Sequence, residues 1–125
     1  MKELTKVEEE IMQVLWSLEK AKVSEVIEHL DRKNPSYNTV STIIRILQSK
    51  GFVGYEKEGR GYRYFPAVPK ESYRSSRVNS VVNNYFNGSF KNMLSFFVKK
   101  NELNMEDLEE ILKQSKNEKQ WLNYC

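Results

Sequence analysis

A short amphipathic helix followed at once by a basic hairpin is the feature that most constrains this chain of 125 residues. Residues 36–50 carry apolar side chains at spacings of three and four, which predicts a helix with one buried face. These apolar positions are Val40, Ile43, Ile44 and Leu47. Ser36 is a suitable N-cap, and Gly51 ends the helix because glycine readily adopts left-handed backbone angles. Residues 52–57 and 62–66 then predict two strands around a tight turn.

The outward face of this helix carries short hydrogen-bonding side chains and one guanidinium, and residues 36–50 contain no carboxylate. A solvated helix usually mixes Glu with Lys, whereas a face that approaches a polyanion excludes acidic groups. Short side chains also let a helix enter the major groove of DNA. The pattern therefore favours a DNA-recognition helix over the alternative, an ordinary polar surface helix. The residues predicted to make base-edge and nearby phosphate contacts are Asn38, Thr39, Ser41 and Thr42.

The predicted hairpin is basic at its tip. Gly59 and Gly61 can supply the positive φ angles of a tight reversal, and Arg60 lies between them. Because an isolated two-stranded ribbon is marginally stable, we expect the hairpin to pack on the helices as a wing and to present its tip to phosphates. Glu56 and Glu58 temper the positive charge of the ribbon. The cations predicted to bind phosphates are Arg45, Lys50, Lys57, Arg60 and Arg63.

Two more helices are predicted upstream of the recognition helix. Thr5 and Glu8 have the spacing of a capping box, which opens the first of them. The second, shorter helix is predicted to start at Ser24 and to end before Asn34-Pro35, because a residue that precedes proline avoids helical angles. Three helices and a wing predict a winged helix-turn-helix DNA-binding domain in residues 1–68.

Residues 69–125 predict three further amphipathic helices, which start at Lys70, near Phe90 and near Asn104. A unit of ~55 residues encloses little core of its own, so we expect its apolar stripes to close against a second copy of the chain. The alternative is that these helices fold back onto the winged domain. The residues predicted to dimerise are Val78, Val82, Tyr85, Phe86, Phe90, Met93, Leu94, Phe97, Leu108, Ile111 and Leu112.

The predicted fold class is therefore mainly α with a small β-hairpin wing. It consists of an N-terminal winged helix-turn-helix followed by a C-terminal three-helix dimerisation region. The predicted domain boundaries are 1–68 for DNA binding and 69–125 for dimerisation.

Charge and composition favour DNA as the partner and argue against catalysis. Residues 69–101 carry six basic residues against one acidic residue, whereas residues 102–125 are acidic. One histidine, His29, and one cysteine, Cys125, cannot form a catalytic or metal-binding set, so no enzyme activity, cofactor or metal is predicted. The chain lacks an apolar run long enough to span a membrane and lacks a signal peptide, which predicts a cytoplasmic protein without membrane insertion.

Three ordered motifs resemble the penicillinase and methicillin-resistance repressors of the BlaI/MecI type. The motifs are Thr5-x-x-Glu8-x-x-Ile11-Met12-x-x-Leu15-Trp16, then Asn38-Thr39-Val40-x-Thr42-Ile43-Ile44-x-x-Leu47-x-x-Lys50-Gly51, and then Tyr55-Glu56-Lys57-x-Gly59-Arg60-x-Tyr62-x-Tyr64. With the helical tail, the resemblance covers nearly the whole chain. It implies a homodimeric repressor that binds a palindromic operator on double-stranded DNA and dimerises through its C-terminal helices.

The resemblance also implies a route by which repression is relieved. In that family a membrane-bound sensor with a zinc-protease domain responds to β-lactam, and the repressor is then cut within its dimerisation part. The cut bond there is typically Asn-Phe followed by Val, and the matching residues here are Phe96-Phe97-Val98. The cleavage bond is therefore expected at Phe96–Phe97, with Phe96 in place of the Asn, and the inducing signal stays open.

Two other classes of function remain as alternatives at this point. An effector-binding regulator would release DNA when a small ligand binds in the dimer core. The aromatic residues that could line such a pocket are Tyr85, Phe86, Phe90, Phe96 and Phe97. A winged helix that serves only as a protein-interaction module would have no affinity for DNA, and the carboxylate-free helix face argues against it.

Overall fold

The first helix, α1 (Lys6–Leu18), begins with the capping box that the sequence predicts. The computed structural model describes residues 2–31 and 35–123. Thr5 Oγ1 accepts a hydrogen bond from the Glu8 N–H at 3.2 Å, and the Glu8 carboxylate accepts one from the Thr5 N–H at 2.8 Å. This reciprocal pair satisfies two backbone donors that the helix itself leaves free, and it fixes the start of α1.

The second helix, α2 (Val23–His29), begins one residue earlier than the predicted start at Ser24. Lys22 is the N-cap, and its N–H donates to the Glu25 carboxylate at 3.2 Å. Because this carboxylate in the first turn caps the helix, Ser24 lies inside the helix and is not its cap. Of the predicted break after α2, Asn34 lies outside the described residues, and Pro35 precedes the next helix.

The third helix, α3 (Tyr37–Ser49), ends as predicted, with Gly51 in the left-handed region at φ +84°. Ser36 is its N-cap, although the Ser36 side chain makes no capping hydrogen bond. Strands β1 (Val53–Glu58) and β2 (Gly61–Pro66) then pair antiparallel. Gly59 has a positive φ of +60° but Gly61 does not, contrary to the prediction for Gly61. A single positive φ at the first loop residue is the pattern of a type II′ hairpin turn, which needs no second glycine.

A single hydrophobic core holds the three helices and the wing together. Its fully buried large side chains are Ile11, Met12, Leu15, Val26, Ile44, Leu47 and Phe52. Burying each such side chain stabilises the fold by about 1.5–3 kcal/mol. The wing is also tied to the helices through its backbone, since Ala21 and Tyr64 exchange two N–H···O hydrogen bonds of 2.9 and 2.8 Å. This attachment supplies the support that an isolated ribbon lacks.

Helix α4 (Lys70–Tyr85) contributes its first turns to the same core. Tyr73 is buried, its hydroxyl accepts a hydrogen bond from the Leu4 N–H at 3.1 Å, and its ring meets the Phe52 ring edge-on at 5.6 Å. The chain accordingly divides into compact units of residues 1–77 and 78–125. The division lies inside α4, and the Tyr73 side chain packs in the core of the first unit.

The second unit contains the end of α4 and two further helices, α5 (Phe90–Lys99) and α6 (Met105–Asn123). Ser89 caps α5 by accepting a hydrogen bond from the Asn92 N–H at 3.1 Å. Asn104 similarly precedes α6 and accepts one from the Asp107 N–H at 2.8 Å. Among the described side chains of this unit, Val82 is the one large apolar residue that is fully buried. The described part of the unit therefore leaves many of its large apolar side chains exposed.

Candidate nucleic-acid interface

A groove of about 720 Å³ lies between the start of α2, the recognition helix α3 and the wing. On the helix side it is lined by Asn38, Ser41, Thr42 and Arg45. On the wing side it is lined by Glu58, Gly59, Arg60, Gly61 and Tyr62. The structure thus brings together the polar helix face and the basic hairpin tip that the sequence singles out separately.

The polar face of α3 is held outward by burial of the opposite face. Val40, Ile44 and Leu47 are buried in the core, while Asn38, Thr42 and Arg45 are exposed. The Thr42 hydroxyl donates to the Asn38 carbonyl oxygen at 2.7 Å. Its proton is therefore occupied within the helix, and Thr42 presents a methyl group and acceptor lone pairs to the groove.

Thr39 lies outside the groove, although it is adjacent in sequence to Asn38. It lines a separate, mainly apolar cleft between α1 and α3, together with Val7, Ile11 and Ile43. Thr39 is rotated by about 100° from Asn38 around the helix axis, away from the side that Asn38, Ser41 and Thr42 share. The base contact by Thr39 stays a prediction. The other three candidates, Asn38, Ser41 and Thr42, line the groove together.

Two of the five predicted phosphate-binding cations are engaged by carboxylates. Arg63 pairs with Glu58 and lies 3.2 Å from the Glu25 carboxylate, and Lys50 pairs with Glu8. The other three, Arg45, Lys57 and Arg60, are exposed and have no ion pair with the described residues. Of the five predicted cations, these three have a charge that is available to an incoming polyanion.

The ion pair of Lys50 is partly buried and joins α1 to the end of α3. Its Nζ atom lies within 2.8 Å of the carboxylate of Glu8, whose exposed fraction is 4%. Burial raises the pKa of Glu8, but the hydrogen bonds from Lys50 and Thr5 outweigh it and hold the pKa below the ordinary value. The pair thus fixes the C-terminal end of the recognition helix against α1.

The carboxylates of the wing are neutralised by neighbours. Lys20 lies 2.6 Å from Glu56, and Arg63 pairs with Glu58. Strand register places Glu56 opposite Arg63, so both lie on one face of the ribbon. Lys57 lies opposite Tyr62 on the other face. The alternation along β1 therefore separates acidic side chains from Lys57.

Several residues of the groove were missed by the sequence interpretation. Lys22 and Ser24 at the start of α2, Tyr37 at the start of α3, and Tyr62 on the wing all line it. A smaller adjoining cleft contains Arg45, Gln48, Tyr55, Tyr62 and Tyr64. The alternation of Tyr55 and Lys57 with Glu56 and Glu58 is the sequence signal that indicates which wing residues share a face.

The predicted dimerisation residues are mostly exposed within the second unit. The exposed ones are Val78, Tyr85, Phe90, Leu94, Ile111 and Leu112, and the partly buried ones are Phe86, Met93, Phe97 and Leu108. Val82 is buried. The predicted cleavage bond, Phe96–Phe97, lies within α5, where the Phe96 ring packs edge-on against Phe86 and Phe97.

Of the aromatic residues considered for an effector pocket, Tyr85, Phe86, Phe96 and Phe97 line an open cleft of about 730 Å³. Phe90 does not line this cleft.

None of the described helices combines the length and the hydropathy that a membrane-spanning segment requires. Nor does the described part of the chain hold a group of His, Cys, Asp and Glu residues that could bind a metal ion.

The helix-turn-helix, the outward polar face of α3 and the adjoining hairpin define a winged helix-turn-helix DNA-binding protein. The penicillinase repressor family model matches residues 4–117. The chain belongs to this family, whose members are DNA-binding transcriptional repressors and not enzymes. These findings confirm three predictions made from the sequence. They are the resemblance to this repressor family, the fold class, and the prediction that the protein is not an enzyme.

Individual relatives agree with this assignment over most of the chain. A penicillinase repressor of Bacillus licheniformis is 30% identical over 121 residues, which cover 94% of each chain. The methicillin resistance regulatory protein MecI of Staphylococcus aureus (strain N315) is 26% identical over 110 residues, 87% of this chain and 89% of that protein. The solution structure of the DNA-binding domain of the repressor BlaI has a TM-score of 0.50 and 31% identity, covering 58% of this chain and 94% of that one.

Proposed function

We propose that this repressor acts as a homodimer that binds a palindromic operator, with the α3 helix of each subunit in a major groove. The observation that carries the proposal is the groove in which a carboxylate-free helix face meets a basic hairpin tip. Repression follows when the operator overlaps a promoter, because the bound dimer then blocks polymerase. Two subunits related by a two-fold axis would read two half-sites about one helical turn, or a multiple of it, apart.

Base reading is assigned to the exposed polar side chains of α3 within the groove. Asn38 can pair with an adenine edge through its amide, and the methyl group of Thr42 can contact a thymine methyl. Ser41, on the same side of α3, offers a hydroxyl to either a base edge or a phosphate. Phosphate contacts are assigned to Arg45, Lys57 and Arg60, because these cations have no ion pair with the described residues.

Dimerisation is assigned to the second unit. Its described helices leave large apolar side chains exposed, among them Tyr85, Ile111 and Leu112. Apolar surface of this kind is unfavourable in water and is usually covered by a partner. A second copy of the same three helices presents the matching apolar stripes.

Release of the operator is assigned to cleavage at Phe96–Phe97 by a membrane-bound sensor protease. A cut there would separate α6 and the last turn of α5 from the rest of the chain. The cut would divide the apolar stripes of the dimer. Each subunit would then bind its half-site without the gain in affinity that comes from being joined to a second DNA-binding subunit. Because the bond lies inside a helix, cleavage also requires local opening of α5.

A second candidate for release is a small ligand that binds in the aromatic cleft of the second unit. The observation that favours it is the grouping of Tyr85, Phe86, Phe96 and Phe97 around one open cavity. Loss of DNA binding on addition of a ligand to an uncut chain would support this candidate. Loss of binding only after chain cleavage would exclude it.

The proposed function is tested by footprinting the full chain on the DNA upstream of its own gene. We expect two protected segments with related inverted sequences, on one face of the duplex. A single protected segment of half-site length, saturated by one subunit, would contradict the dimer on a palindrome.

We expect the Arg60→Ala variant to bind all duplexes more weakly and to lower the slope of log affinity against log salt by about 1. The reason is that one phosphate-contacting charge, and hence about one released counterion, is lost. Fluorescence anisotropy over a salt series measures both quantities. Lys113→Ala, which removes an exposed charge in α6, is the matched control and should leave the slope unchanged.

We expect Asn38→Ala to weaken operator binding by about 1–3 kcal/mol and to relax the preference at one base pair. Affinity for random DNA should change little, because a base-edge contact carries sequence information and a phosphate contact does not. A set of operators with single base-pair changes measures this preference. Thr39→Ala, at the neighbouring position outside the groove, is the comparison, and equal effects of the two variants would exclude the assignment of base reading to this face.

A further inference from the structure

Two tyrosines on the wing are exposed beside the recognition helix. The exposed fraction of Tyr55 is 52% and that of Tyr62 is 46%. Their rings pack edge-on, with centroids 5.4 Å apart. Both line the small cleft that also contains Arg45 and Gln48 of α3. The pair therefore lies at the junction of the wing and the recognition helix.

The pleat of the wing places the two phenols on the face that carries Lys57. Tyr62 lies directly opposite Lys57, and Tyr55 lies opposite Tyr64. Residues opposite each other in an antiparallel pair share a face, so one face is phenolic and basic. Glu56 and Arg63 occupy the other face. The phenols are thus separated from Glu56 by the strand itself.

Three cations line the groove, namely Lys22, Arg45 and Arg60. Lys50 and Arg63 are engaged by carboxylates, which leaves Arg45, Lys57 and Arg60 for phosphates among the described cations predicted for that role. A neutral hydroxyl donor is the other side-chain type that binds phosphate oxygens, and tyrosine is one of the residues that does so in protein–DNA complexes. The edge-on ring contact restrains both rings, so little freedom is lost when their hydroxyls bind.

We propose that the hydroxyls of Tyr55 and Tyr62 donate hydrogen bonds to phosphate oxygens of the DNA strand that runs between the wing and α3. This inference rests on the proposed function and adds two neutral contacts to the three cationic ones. Because neutral donors displace no counterions, their contribution to affinity does not change with salt. The contacts also carry no base preference, since phosphates are the same at every position.

The test uses Tyr55→Phe, Tyr62→Phe and the double variant in the full chain, because phenylalanine keeps the ring contact and removes only the hydroxyl. We expect each single variant to bind the operator about 10- to 100-fold more weakly, the range for one hydrogen bond to a charged acceptor. The salt slope and the thermal midpoint should equal those of the wild type. Ser17→Ala, which removes an exposed hydroxyl from α1, is the control and should bind as the wild type does.

The outcomes separate this inference from the proposed function. If the wild-type chain binds no duplex, the proposed function fails. If the wild type binds the operator and both Phe variants bind it with the wild-type affinity, only the proposed tyrosine contacts are overturned. A loss confined to operators with one particular base pair would overturn the phosphate assignment in favour of a base contact, whereas equal losses on operator and scrambled DNA support it. Methylphosphonate duplexes give an independent check, since neutralising the contacted phosphates should weaken the wild type more than the double variant.

Discussion

A chain that ends at Phe96 should bind operator DNA about 10²- to 10⁴-fold more weakly than the full chain, since it loses the linkage between two half-sites. The truncation removes α6 and the last turn of α5, and with them Phe97, Leu108, Ile111 and Leu112 of the proposed dimer surface. The first unit, residues 1–77, keeps its core and its groove. We therefore expect a folded monomer with residual half-site affinity. Sedimentation equilibrium gives the subunit number, and anisotropy gives the affinity.

A pair of full-length variants separates the loss of the interface from the loss of chain. Ile111→Asn replaces an exposed apolar side chain of α6, and Glu110→Gln on the same turn is the matched control. The Ile111→Asn dimer should have a higher dissociation constant than the wild-type dimer. The dissociation constant of the Glu110→Gln dimer should equal that of the wild type. A truncated chain that still dimerises and binds operator tightly would exclude both the dimer surface and the proposed cleavage mechanism.

The Lys50→Met variant should lower the free energy of unfolding by about 2–4 kcal/mol, because it leaves the buried Glu8 carboxylate without its cationic partner. The expected loss lies toward the lower part of the range for fully buried pairs, since Lys50 is partly exposed. Denaturant unfolding measures it. Lys20→Met is the control, because its partner Glu56 is exposed and such surface pairs contribute about 0–1 kcal/mol. Equal effects of the two substitutions would contradict a structural role for the Lys50 pair.

The same pair predicts a dependence of stability on pH. The pKa of Glu8 is lower in the folded state than its ordinary value, so the unfolded chain binds a proton at higher pH than the folded chain does. The stabilisation from Glu8 is therefore complete above the unfolded pKa and is lost as pH falls through the folded pKa. The difference in unfolding free energy between the wild type and Lys50→Met should accordingly shrink on acidification through this range.

Local patterns in the sequence were sufficient to predict most of the elements. The Thr5–Glu8 capping box and the stop at Gly51 both have the predicted geometry, because each depends on residues within one turn of the helix end. The start of α2 was predicted one residue late, since either Ser24 or the Glu25 carboxylate could cap that helix. The packing of Tyr73 into the first unit could not be read locally, because its hydroxyl partner is the N–H of Leu4, 69 residues away.

The candidate site was predictable as a surface but not as a set of contacts. The helical period identified the polar face of α3, and the glycine turn identified the basic tip. The engagement of Lys50 by Glu8 could not be predicted, because the two residues are 42 positions apart and meet only through the packing of α1 on α3. Arg63 is likewise held by Glu25 from another element. Tertiary ion pairs thus decide which cations remain free for DNA.

The groove between α3 and the wing is the surface proposed to bind a specific operator. The most direct test of this claim is an anisotropy titration of the full chain against the DNA upstream of its own gene, beside a scrambled duplex, at two salt concentrations. We expect tighter binding to the native duplex, a steep decrease with salt and two subunits per site. Absence of binding to either duplex at both salt concentrations would contradict the claim and favour a winged helix that contacts only other proteins.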